Sequence, residues 1–377
     1  VQRRQQRRPL DSVLDERLAH KSAAGLRRTL LDVQPAEPGR VLLEGRSFLD
    51  FASNDYLGLG HRPDPGGDPG SARASRLVTG NLPVHRRAER AFAEWVGLES
   101  ALLFTSGYAA NVGTVAGLMG RGDVVFSDEL NHASLIDGSR LSRARIEIVP
   151  HRDLDALRRG LETCDAERVL VITESIFSME GTHADLAALR DLTTAHGAWL
   201  MVDEAHSLGT MGPEGRGSCV AAGVRPDILV GTLGKAMGSA GAFVAGSSTL
   251  REALIHDARS FVFSTGIAPA VAAGLPARID WLRQADEARA LQAAHCRRLS
   301  DGLRALGVEV RGSGPILGAI YGSPEVAVEA ERRLAAAGIL ARAIRPPTVP
   351  RGTSRLRIVP SAAHSRQDIE AFLEALA

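Results

Sequence analysis

The chain has 377 residues, of which 44% are hydrophobic and 24% charged, and its formal net charge is +1. That composition suits a folded protein of two or three domains, long enough to bury a large core without disulfides or a structural metal. The balanced charge gives no field for nucleic acid or an anionic membrane, and no apolar run approaches the ~18 residues of a membrane span.

In chain order, the spacing of Val13, Leu14, Leu18 and Leu26 predicts a helix over 10–31, capped by Asp11 or Ser12. Residues 32–47 read as a connector leading to a short hairpin, so 1–47 forms an N-terminal unit. From 48 to 270, short apolar runs alternate with helical patterns. The runs are Ala101–Phe104, Val124–Phe126, Ile146–Val149, Val169–Thr173, Trp199–Val202, Ile228–Val230 and Gly241–Ala245. Amphipathic helices fall between several of them, at 153–162 and 185–196 among others. Continuous apolar strands separated by helices predict an α/β domain with a mostly parallel seven-stranded sheet covered on both faces. The stretch 61–70, dense in Pro, Gly and Asp, reads as an irregular loop. A long helical pattern near 270–305 is followed by short strands and helices at 323–337 and 365–376, so 271–377 reads as a linking helix and a smaller α+β domain. Cys164, Cys219 and Cys296 show no Cys-x-x-Cys spacing, which predicts neither a disulfide framework nor a zinc site and fits a reducing cytoplasm. The N-terminus carries no apolar stretch of the secretory kind.

Several junctions between these elements carry chemistry. In 228–238, ILVGTLGKAMG, Lys235 follows an apolar strand and two glycines. A phosphate-binding P-loop would need Gly at 229 and Ser or Thr at 236, where Leu229 and Ala236 stand. In 199–206, WLMVDEAH, a strand ends in Asp203 with His206 three residues on. Ligands of open α/β sheets bind beyond the carboxyl ends of the strands, where both Lys235 and Asp203 fall. A carboxylate there could ligate a metal, act as a base or pair with a cationic ring nitrogen. Ser106, Gly107 and Tyr108 open a helix whose first amides suit a phosphate. His132 could stack on a planar group, and Ser178 could donate to an oxygen from a polar turn. Taken singly, each has an ordinary structural reading: a surface lysine, a turn serine, a satisfied histidine. Together they supply a phosphate cup, a stacking group, a carboxylate and an amine, with Lys235 32 positions after Asp203. That set suits pyridoxal 5'-phosphate (PLP), whose ring needs a carboxylate at its nitrogen and whose aldehyde needs a neutral amine.

From about residue 20 to the C-terminus the chain resembles the α-oxoamine synthases, fold type I PLP enzymes that join an amino acid to an acyl thioester with loss of carbon dioxide. The matching stretches include SNDYLGL (53–59), SRLVTGN (75–81), FTSGYAAN (104–111), NHASLIDG (131–138), ESIFSMEG (174–181), MVDEAHSLGTMGPEGRG (201–217), GTLGKAMGSAG (231–241), FVFSTG (261–266) and RPPTVPRGTSRLRI (345–358). The run Ile344-Arg345-Pro346-Pro347-Thr348-Val349-Pro350 points to the branch that uses L-alanine and a pimeloyl thioester, on coenzyme A or an acyl carrier protein. The cofactor residues do not separate it from a branch using glycine and an acetyl thioester. The resemblance implies that Lys235 is the Schiff-base lysine and moves the proton at Cα. Asp203 would pair with the pyridine nitrogen, His206 with the phenolic oxygen, and His132 would stack on the ring. Ser106, Gly107 and Tyr108 would hold the phosphate or flank the ring, with Ser178 and Thr232 completing the shell. Ser264 and Thr265 would reach the phosphate of the other subunit in a homodimer. Asn54 and Arg357 would orient the substrate carboxylate, and Arg27 and Thr348 would lie near the acyl group. One departure falls between Leu59 and Ser75, where the family's helix is shortened and Ala72, Arg73 and Ala74 replace turn glycines.

Overall fold

The computed structural model describes residues 19–24, 33–58 and 70–377. Of the helix expected over 10–31, residues 19–23 are helical, Ala24 is a turn and the rest lies outside the described residues, as does most of the loop expected at 61–70.

The seven apolar runs form seven strands: β4 (Ser100–Phe104), β5 (Val124–Asp128), β6 (Arg145–Val149), β7 (Val169–Glu174), β8 (Trp199–Asp203), β9 (Ile228–Thr232) and β10 (Ala242–Gly246). They make one sheet in the order β4-β10-β9-β8-β7-β5-β6. Six run the same way, and β10 runs against both β4 and β9. Alternate residues of each strand enter different cores, as the two-residue period of a strand dictates. Leu102, Val125, Leu170, Met201, Val230 and Val244 face one core. On the other face Leu103, Leu229 and Phe243 join one cluster, and Val124, Val171 and Leu200 join another. Helices α1 (Pro83–Val96), α2 (Gly107–Leu118), α3 (Ala133–Ser142), α4 (Leu154–Thr163), α5 (Leu186–Ala195), α6 (Ser248–Asp257) and α7 (Pro269–Arg283) connect and cover the sheet. Burying each Leu or Phe of these cores contributes about 1.5–3 kcal/mol.

A hairpin precedes the large sheet. After β1 (Val33–Pro35), strands β2 (Arg40–Leu43) and β3 (Arg46–Asp50) pair through Glu44 and Gly45, both at positive φ, as a two-residue hairpin loop requires. The helical pattern of 270–305 resolves into two helices, α7 and α8 (Asp286–Ala305), broken at Gln284 and Ala285. Only two residues separate them and neither is Gly or Pro, so the sequence carries no sign of the break. The remaining elements are β11 (Glu309–Arg311), β12 (Leu317–Gly322), α9 (Pro324–Ala336), β13 (Ile339–Leu340), β14 (Arg342–Ile344), β15 (Ser354–Ile358) and α10 (Arg366–Glu374). Strands β11-β12-β15-β14 form an antiparallel sheet over a core that includes Leu303, Leu317, Leu356 and Phe372. Strand β13 pairs parallel to β3, tying the hairpin to this C-terminal part.

Candidate active site

The carboxyl ends of β4, β7, β8 and β9 converge on one side of the large sheet, and β15 meets them from the small one. Asp203 closes β8 and is buried. Its Oδ1 accepts from the backbone N–H of Ala205 at 2.9 Å and its Oδ2 from Asn111 Nδ2 at 2.7 Å. Asn111, in α2, also donates to Ser134 Oγ at 2.9 Å, and Ser134 Oγ lies 2.8 Å from His132 Nδ1. His132 caps α3, its Nδ1 also accepting from the Ser134 N–H at 3.2 Å, and the residue is exposed. Burial of the inner part pushes its pKa below the usual imidazole value.

Lys235 stands three residues past β9. Its Nζ lies 3.1 Å from His206 Nε2, and His206 Nδ1 lies 2.6 Å from Tyr56 Oη. Burial lowers the basicity of the Lys235 amine, while the neighbouring Asp203 and Glu174 carboxyls pull it back up. His206 is fully enclosed, and burial followed by the Lys235 charge holds it neutral, well below its usual pKa. Glu174 closes β7 directly beside Asp203, and burial next to that carboxylate raises its pKa well above normal. From β15, Arg357 donates through Nε to the Ser178 carbonyl at 2.7 Å and through Nη2 to Asn54 Oδ1 at 2.9 Å. Asn54, His132, Ser178, His206, Lys235 and Arg357 line one cleft of about 330 Å³, with Arg342 and Ile344 at its edge.

Past the carboxyl end of β4, Ser106 Oγ accepts from the Ala109 N–H at 3.1 Å and caps α2, so Gly107 and Tyr108 form its first turn. A Cβ at Gly107 would sit 2.5 Å from Thr232 Cγ2, so glycine is what lets the two segments approach. Thr232 Oγ1 is buried and finds no hydrogen-bond partner among the described residues. Tyr108 donates to Asp137 Oδ2 at 2.7 Å and is 51% exposed. These residues fit PLP: an unpartnered hydroxyl and a helix start for the phosphate, a buried carboxylate for the ring nitrogen, an exposed imidazole for the ring, and an amine of reduced basicity for the aldehyde.

Other expected residues lie elsewhere. Thr265 bridges Ser75 and, with Ser264, is outside this cleft. Thr348 is exposed, next to a groove of about 800 Å³ lined by Arg345, Pro346, Pro347, Val349 and Arg351. Arg27 lies outside the described residues. Arg73, standing where a turn glycine is usual, keeps a positive φ of 64°, a conformation costing roughly 1–2 kcal/mol for a side-chain-bearing residue. Sequence reasoning missed Tyr56, Asn111, Ser134 and Glu174. All four are buried and lie within motifs quoted above, but the partners of Tyr56 and Asn111 are 150 and 92 residues away.

Comparison with known proteins agrees with this geometry. Residues 46–376 match the family of aminotransferase class I and II proteins. The 8-amino-7-oxononanoate synthase of Alkalilimnicola ehrlichii is 42% identical, with 97% of each chain covered. That of Anaeromyxobacter dehalogenans is 45% identical over 94% of this chain and 92% of its own. A solved structure of SPT with PLP superposes with a TM-score of 0.90 at 29% identity, covering 98% of both chains. The chain belongs to the aminotransferase class I and II proteins of PLP-dependent fold type I and, within them, to the 8-amino-7-oxononanoate synthase family.

Proposed function

We propose that this chain joins L-alanine to a pimeloyl thioester, carried by coenzyme A or an acyl carrier protein, with loss of carbon dioxide. The products are 8-amino-7-oxononanoate, an intermediate of biotin synthesis, and the free thiol. The observation that carries the reading is that a carboxylate seat, Asn54 with Arg357, and a weakly basic amine, Lys235, line the same small cleft. Bound PLP supplies an electron sink that makes the amino acid's Cα–H bond acidic.

The chain's own residues do the rest. Arg357 is anchored through Nε, leaving guanidinium donors for the alanine carboxylate. Asp203 would hold the ring nitrogen protonated, and His132 would cover the ring. Lys235 removes the Cα proton, and its depressed basicity brings it closer to the neutral form a base needs. Cα then bonds to the thioester carbonyl carbon and the thiolate leaves. The carboxylate is lost as carbon dioxide, and Lys235 returns a proton to Cα. The proline-lined groove beside Ile344 offers apolar room for the acyl chain, with Arg345 and Thr348 at hand.

A homodimer is part of the proposal. Val78 and Phe263, 74% and 70% exposed, flank the Ser75–Thr265 bridge. Covering them with a second copy would bring Ser264 and Thr265 to the partner's cofactor. Light scattering at twice the chain mass is the expected result. Incubating the PLP-loaded protein with L-alanine and pimeloyl-coenzyme A should release thiol and carbon dioxide in equal amounts. Glycine with acetyl-coenzyme A turning over faster would refute the substrate assignment. Lys235→Ala should lower turnover by at least about 10³-fold, the loss of a general base plus its positioning.

A further inference from the structure

Two arginines leave the same face of β15, because residues two apart on a strand point the same way, while Leu356 and Ile358 enter the core of the small sheet. Both arginines reach the turn that follows β7. Arg357 Nε donates to the Ser178 carbonyl at 2.7 Å, and Arg355 Nη1 donates to the next carbonyl, that of Met179, at 3.1 Å. Arg355 Nη1 also donates to Glu180 Oε1 at 3.0 Å, and its Nε and Nη2 donate to the carbonyl and hydroxyl of Thr353 at 2.9 and 3.0 Å. Every nitrogen of that guanidinium is thus engaged inside the protein, and the Arg355 and Glu180 side chains are 1% and 8% exposed. Neither residue lines the cleft, whereas Ser178, Met179 and Arg357 do. The turn is seated without slack: a Cβ at Gly181 would lie 2.2 Å from the Ile316 carbonyl oxygen, just before β12.

We propose that Arg355 and Glu180 are positioning residues for the amino-acid substrate. Their buried ion pair fixes the Ser178–Glu180 turn against β15, and that turn is the platform from which Arg357 is aimed into the cleft. Arg357 is held by two bonds, Nε to the Ser178 carbonyl and Nη2 to Asn54. A shift of that carbonyl moves the whole planar guanidinium, and pairing of a guanidinium with a carboxylate depends steeply on direction. Stability alone is a weak account of the pair, since well-packed apolar residues of the same volume are often at least as stabilising as a buried ion pair. A turn held in one place is the stronger account. The inference rests on Arg357 being the carboxylate seat proposed above, and not on the identity of the acyl group.

The test is an absorbance titration of the PLP-loaded protein with L-alanine, with no thioester present. Arg355→Lys keeps a buried cation beside Glu180 but loses the fork that joins Met179, Glu180 and Thr353. It should raise the dissociation constant for L-alanine about five- to ten-fold while PLP affinity stays within about two-fold of wild type. Glu180→Ala should act in the same direction, and Glu180→Gln, which keeps an oxygen for Arg355, should restore most of the affinity. Should Glu180→Ala not fold, Arg355→Lys decides. Added to Arg357→Lys, Arg355→Lys should weaken alanine no further, because it acts through the residue already replaced. An unchanged constant in folded Arg355→Lys, an additive double variant, or an equal loss of PLP affinity overturns the proposal. Glycine and L-serine carry the same carboxylate, so the ratio of variant to wild type should be the same for whichever of them binds. Failure with pimeloyl-coenzyme A would sink the substrate assignment and leave this inference standing, whereas turnover with unchanged constants would do the reverse.

Discussion

Arg357 makes two hydrogen bonds in different directions, to the Ser178 carbonyl and to Asn54, and keeps its remaining donors for the cleft. A planar fork with five donors can do this, whereas a lysine ammonium reaching the same carbonyl leaves Asn54 unpaired. Arg357→Lys should therefore raise KM for L-alanine by about ten-fold or more, the loss of one charge-assisted bond, while PLP absorbance stays normal. Unchanged KM would remove Arg357 from the carboxylate seat. Asn54 and Arg357 were legible in the sequence because they sit in recognisable family stretches. Tyr56 was not, although it lies two residues from Asn54. Its role depends on a partner that only tertiary folding supplies, and a tyrosine within SNDYLGL reads equally well as packing. Glu174 was hidden for the same reason: register beside Asp203, not local sequence, gives it its environment.

At the level of elements, strand position was readable and strand direction was not. All seven apolar runs became strands within a residue or two of the expected limits. A strand buried on both faces shows the same run whichever way it points, so nothing in Gly241–Ala245 betrays that β10 is reversed. The reversal matters for the site. β10 runs between β4 and β9, so the α2 start and the Thr232–Lys235 turn lie on opposite sides of a strand that begins where they end. They meet across it through Gly107 and Thr232. Gly107→Ala would push a methyl group to 2.5 Å from Thr232 Cγ2, and the pair must separate. PLP affinity, measured by absorbance titration, should fall about ten-fold, equivalent to roughly 1.4 kcal/mol. Adding Thr232→Ser deletes the offending methyl and keeps the hydroxyl, so the double variant should recover most of the loss. No recovery would mean that the glycine is needed for backbone freedom rather than for close approach.

Across the whole molecule, two buried groups in different cores give opposite responses to pH. Glu204, beside Asp203, is completely enclosed, with Oε1 accepting from the Cys219 N–H at 2.7 Å and Oε2 without a partner among the described residues. Burial pushes its pKa up to about 7. An acid whose pKa is raised by folding contributes most below its unfolded value, near 4.5, and that contribution is lost as pH rises through about 7. His364 stacks on Phe51 with ring centroids 3.9 Å apart, its Nδ1 accepts from the Ser361 N–H at 3.1 Å, and burial pushes its pKa down to about 4. Here the unfolded chain takes up the proton first, so stability is kept above about 6.5 and lost as pH falls toward 4. Each shift amounts to roughly 3 kcal/mol over its window. Between about pH 4.5 and 6.5 the two slopes oppose and largely cancel. Urea midpoints of the wild type should vary little there, and Glu204→Gln should expose a fall toward acid carried by His364. His364→Asn should expose the converse, a fall from about pH 5 to 7. If each variant simply shifts the midpoint equally at every pH, neither group titrates as burial dictates, and the two cores do not respond separately to protons.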